Sequence, residues 1–126
     1  MANHFDDLFS IDGVQGVFYI SDAGKPLVAE LSESHGGSEH ECREARAFLA
    51  EKMRWRDMAP LVDGATEGEI LFDALRVYYR RTVDGILYIL MAPGCVAAMV
   101  RMTCDLISTD MDKSRKTRGF GRFFKM

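Results

Sequence analysis

His35, His40 and Cys42 carry the side chains in this chain best suited to hold a metal, and they fall close together. The intervening Gly36-Gly37 and the lack of a nearby fourth ligand fit no standard zinc spacing, so the trio reads as a loop histidine and a helix cap. Ser21 beside Asp22 could open a nucleophilic triad, but the serine lacks the G-x-S-x-G strand-to-helix elbow, and a turn accounts for both residues. Gly13-x-x-Gly16 and Gly119-Phe120-Gly121 are too sparse to cradle phosphates, and no Walker-type lysine follows a glycine run. The expectation is a protein with no catalytic set, no metal and no cofactor, whose work is done by surfaces.

One such surface is written into the C-terminus. Lys113 to Lys125 carries six cations, no acids and the three aromatics Phe120, Phe123 and Phe124. Arg118, Phe120, Arg122 and Phe123 are therefore candidates for contact with an acidic partner or for peripheral attachment to an anionic membrane. The remainder does not invite nucleic acid, since a net charge of −3 and a pI near 5.6 give no general basic footprint. No apolar run reaches the roughly 18 residues of a membrane-spanning helix, and the acidic start around Asp6 and Asp7 is unlike a signal peptide, so a cytoplasmic location is expected. Three cysteines form an odd set that reads as reduced, packed thiols.

At 126 residues the chain has room for one domain, taken as 1–112, followed by a tail, 113–126. Phe5, Leu8 and Phe9 at i, i+3 and i+4 predict a short first helix that ends before Gly13. Val17 to Ile20 is apolar without interruption, which suits a strand covered on both faces. Leu27 to Leu31 alternates after Pro26, which suits a sheet edge. Between them Asp22 to Lys25 is a reversal in which Gly24 supplies a positive φ. A third strand is expected at Ile70 to Phe72 between Glu69 and Asp73, a fourth at Val77 to Arg81, and Asp84-Gly85 marks a two-residue turn into a continuous apolar fifth strand, Ile86 to Ala92. The two fully apolar strands should be neighbours, and hairpins join the rest, so the order is 2-1-5-4-3.

Ser38-Glu39-His40-Glu41 is a capping box that opens a long helix over 38–59. It carries one apolar stripe with Phe48, Trp55 and Ala59 and another with Cys42, Leu49 and Met53, Lys52 and Arg56 lying between them. Two stripes call for two neighbours. Together with the unpaired backbone of an edge strand, they predict a homodimer whose interface includes Phe48, Lys52, Trp55, Arg56, Glu69, Ile70, Leu71 and Phe72. A closing helix from Val96 keeps helical spacing through Met99, Val100, Thr103, Leu106, Ile107 and Met111.

This layout resembles the roadblock/LC7 family. The likeness lies in the short helix, the hairpin from Gly13-Val14-Gln15-Gly16-Val17 to Asp22-Ala23-Gly24, the long capped helix, and the run from Glu69-Ile70 through Ala92 into the helix at Val96. It covers about residues 4 to 112. The resemblance implies an α/β (α+β) profilin-like sandwich: a five-stranded antiparallel sheet, a long helix on each face and a short N-terminal helix. It also implies dimerisation through the second helix and the edge strand, and a non-catalytic role as regulator or scaffold of a Ras-like small GTPase. On that reading Arg43, Arg46 and Arg54, on the outer side of the second helix, would face the GTPase. A sensory or small-ligand domain of the PAS type, which shares the sheet-and-helix layout, is the alternative.

Overall fold

In the computed structural model, which describes residues 5–35, 43–47, 50 and 64–107, five antiparallel strands stand in the order β2-β1-β5-β4-β3. The strands are β1 (Val14–Ser21), β2 (Pro26–Leu31), β3 (Glu67–Leu71), β4 (Arg76–Arg81) and β5 (Gly85–Met91), and the order is the one the hairpin argument requires. The helices are α1 (Asp6–Phe9), α2 (Arg43–Ala47) and α3 (97–107), with a 3-10 turn at Ser32–His35. The Ser38 capping box and most of the helix expected over 38–59 lie outside the described residues.

The central pair is β1 and β5, and it separates two apolar layers. On one face Val17, Tyr19, Tyr78, Leu87, Ile89 and Met91 meet Phe5, Leu8 and Ile11 from the N-terminal segment and Val100, Cys104 and Ile107 from α3. On the other, Phe18, Ile20, Val77, Tyr88 and Leu90 pack with Ala45 of α2 and with Leu75. Continuous apolar sequence in β1 and β5 follows directly, since successive residues point to opposite faces and both faces are covered. Gln15 sits in a bulge between Val14 and Gly16, which lets Val14 and Val17 share one face despite their odd spacing.

Four expectations shift. The third strand runs Glu67–Leu71 rather than from Glu69 to Asp73, and Phe72 begins the turn, its N–H donating to the Leu75 carbonyl at 2.8 Å. Gly68, outside the span expected for the third strand, lies inside β3 opposite Tyr79 of β4, whose hydroxyl an added Cβ there would run into. The next hairpin turns one residue early. The Thr82 N–H donates to the Gly85 carbonyl at 2.8 Å, so the central residues are Val83 and Asp84, and Gly85 opens β5. Finally, α3 turns Val100, Cys104 and Ile107 inward, while Met99, Met102 and Leu106 stay more than half exposed. Two apolar stripes overlap on this helix, and the expected set drew from both.

Both described cysteines, Cys95 and Cys104, are buried thiols, and burial pushes Cys104 up to about 12, leaving it protonated at neutral pH. Among the described residues no helix is long and apolar enough to cross a membrane.

Candidate partner-binding surface

An antiparallel ladder spends the N–H and C=O of alternate residues on each neighbour. In β3 the Thr66 carbonyl accepts from the Arg81 N–H and the Phe72 N–H reaches Leu75, both at 2.8 Å, which sets the parity: Gly68 and Ile70 bond inward to β4. The backbone groups of Glu67, Glu69 and Leu71 therefore point off the sheet. The pairing with β4 is regular over its whole length, without a bulge, and the strand contains neither proline nor lysine.

The opposite edge is guarded. β2 begins at Pro26, follows Lys25, and its register with β1 shifts between Tyr19 and Ile20, all features that discourage a further strand. Among the described residues the sheet thus has one protected edge and one regular, uncovered edge.

A polar network fixes β3 in place from the α3 side. The Tyr78 hydroxyl donates to Glu67 Oε2 at 2.6 Å, and Arg101 Nη2 of α3 holds Glu67 Oε1 at 2.6 Å. Burial first, then this hydrogen bond, pushes the Tyr78 hydroxyl well above its ordinary value. Arg76 grips Glu69 Oε2 through Nε at 3.0 Å and Nη2 at 2.7 Å, while its Nη1 donates to the Pro93 and Cys95 carbonyls at 3.1 and 2.7 Å. Arg80 pairs with Asp105. One arginine, Arg76, thereby joins the edge strand to the loop that enters α3.

On the other face Gly68 and Ile70 lie beside Tyr79, whose hydroxyl overhangs the glycine. Leu71 is 70% exposed and Phe72 37%. The structure thus brings together Glu69, Ile70, Leu71 and Phe72 of the expected interface, three of them in the edge strand and Phe72 in its turn. Arg43 and Arg46 are exposed on α2, and Arg46 is engaged with Glu33. Phe48, Lys52, Arg54, Trp55, Arg56, Arg118, Phe120, Arg122 and Phe123 lie outside the described residues. Sequence reasoning missed Glu67 and Arg76; the signal was present as acids at 67 and 69 facing Arg76, Tyr78 and Arg80 across one hairpin.

Against known proteins, no family model matches the chain. No curated protein matches it either. Among solved structures the chain is similar to Myxococcus xanthus MglB, with a TM-score of 0.56 at 12% sequence identity, over 90% of this chain and 83% of that one. At that identity the likeness is one of fold.

Proposed function

We propose that this chain acts as a homodimer that binds a Ras-like small GTPase and modulates its hydrolysis or its location, without binding nucleotide itself. The observation that carries the reading is the regular β3 edge, uncovered among the described residues, of a profilin-like sheet whose fold is similar to that of Myxococcus xanthus MglB, taken with the roadblock/LC7 resemblance of the sequence. An edge left bare among the described residues, with exposed Leu71, is the feature natural sheets avoid unless another strand covers it. A second copy supplies that cover and leaves the outer surfaces of both chains for the GTPase.

Regulation of this kind works by differential binding. A protein that holds the GTP-loaded and GDP-loaded forms equally shifts nothing, however tightly it binds. Calorimetry is the test. The purified protein should give no heat with GTP and a saturable signal with its GTPase, the affinities for the two loaded forms differing by about 5-fold or more. Light scattering at about ten micromolar, a concentration above the dissociation constant of an ordinary stable dimer, should return twice the 14.2 kDa chain mass. Tight nucleotide binding by this chain, or indifference to every small GTPase of its source, would move the reading to a small-ligand domain.

The tail is assigned an attachment role. Deleting residues 114–126 should leave the melting temperature unchanged and weaken binding to the acidic partner or to anionic vesicles, with the loss largest at low salt where the cations act unscreened. A fall in melting temperature would place the tail in the folding unit instead.

A further inference from the structure

We propose that the exposed face of α3 is the docking site for this chain's own C-terminal segment, 113–126, whose phenylalanines settle on Met99, Met102 and Leu106. This goes beyond the GTPase reading and does not depend on it.

The face is marked out by what the rest of the helix does. Val100, Cys104 and Ile107 turn into the core. The two charged side chains of α3, Arg101 and Asp105, are held to one flank by Glu67 of β3 and Arg80 of β4. At about 100° per residue the remaining surface falls to Ala98, Met99, Met102 and Leu106, and it carries no charge. Met99, Met102 and Leu106 are 51%, 67% and 70% exposed. An outward helix face is ordinarily polar, so apolar surface on both the inner and the outer side calls for a second cover.

Three observations name that cover. The first is reach: 13 residues lead from Ile107 to Phe120, about 40 Å of extended chain, against a stripe of about 10 Å from Met99 to Leu106. The second is chemistry, because Phe120, Phe123 and Phe124 offer aromatic rings to two thioethers, a favourable contact. The third is charge. α1 rests on β1, across from the flank that holds Arg101 and Asp105, and its Leu8 shares the apolar layer of Val100 and Ile107. Exposed Asp6, Asp7 and Asp12 therefore border the α3 stripe on that side. The segment brings six cations and no acids to this border. The same carboxylates repel an anionic membrane, which excludes lipid as the cover of α3.

A flexible tether of this length sets an effective concentration in the millimolar range, on the order of the affinity of a few exposed side chains. Docked and free segments thus coexist, and the folding unit does not rely on the contact. While docked, the phenylalanines are withheld from any other attachment.

The experiment is methyl NMR of the full chain with 13C-labelled methionine, the Met99 and Met102 signals being assigned with Met99→Leu and Met102→Leu. The reference is the full-length triple variant Phe120→Ala, Phe123→Ala, Phe124→Ala, which leaves every residue of the described fold in place. Both methyl signals of the parent should lie upfield of the reference, from aromatic rings above them, and should not move on dilution. Added salt should bring them closer to the reference, since part of the attraction is between charges. Identical signals in parent and reference overturn the proposal. A displacement that disappears on dilution overturns it in favour of a second copy on α3. Phosphatidylserine vesicles should leave both methyl signals of the reference sharp; broadening there makes lipid the cover and overturns the assignment to the segment.

Discussion

Ile89→Ala, and separately Leu87→Ala, should each lower the stability of this domain by about 2–5 kcal/mol, the range for truncating a large aliphatic side chain inside a packed core. Both side chains are fully buried at the centre of the sheet. Ile89 is flanked by Val17 of β1 and Tyr78 of β4, and α3 closes over them with Val100 and Cys104, so a cavity there has rigid strand on both sides and little room to collapse. Urea unfolding at one fixed protein concentration should show a lower midpoint with an unchanged slope. Leu27→Ala on the half-exposed β2 edge is the control, expected within about 0.5 kcal/mol of the parent. Near-neutral changes at both core positions would mean that β5 is not central.

Gly85→Ala should cost about 3 kcal/mol, at the upper end of the overpacking range, although it adds one methyl group. A Cβ at this position would overlap the Ile20 carbonyl oxygen and lie 2.9 Å from both Ile20 C and Ser21 Cα. These are backbone atoms of β1, the strand paired with Gly85 through Ser21, and they cannot rotate aside as a side chain would. The turn itself makes no demand for glycine there, because Gly85 is not among the positive-φ glycines. Gly24→Ala supplies the contrast. It has φ +82 and open space around it, so its cost is backbone strain alone, about 1–2 kcal/mol. If Gly85→Ala proves the milder of the two in thermal unfolding, β1 and β5 do not approach as closely at this end.

The strand order was legible because it rests on a contrast that burial writes into sequence. Val17 to Ile20 and Ile86 to Met91 are apolar at every position, whereas Pro26 to Leu31 and Glu67 to Leu71 mix apolar with polar, so the central pair and the edges separate without any structure. Gly24 was legible for a local reason, since the reversal at Asp22 to Lys25 needs a positive φ and only glycine takes it cheaply. The identity of the outward-facing groups was not legible. Which of Glu67, Gly68 and Glu69 points off the sheet depends on parity with β4, and parity changes with a one-residue slip that composition does not register.

What the sequence determined by itself is therefore what acts over a few residues: turn chemistry, the two-residue alternation of a half-covered strand, and the presence of a closing helix. What the tertiary structure decided is what needs a neighbour from elsewhere in the chain. Gly68 falls before the expected third strand and Gly85 in the expected turn until Tyr79 and Ile20 are laid against them. Helical spacing admits Met99, Met102 and Leu106 to a buried face as readily as Val100, Cys104 and Ile107, and the choice is made by the apolar sheet face on which the latter three pack, with Arg101 to Glu67 and Arg80 to Asp105 as ion pairs at its rim. These pairs join α3 to β3 and β4. A helix carries its period in its own residues, but the rotation about its axis is set only by the surface it packs on.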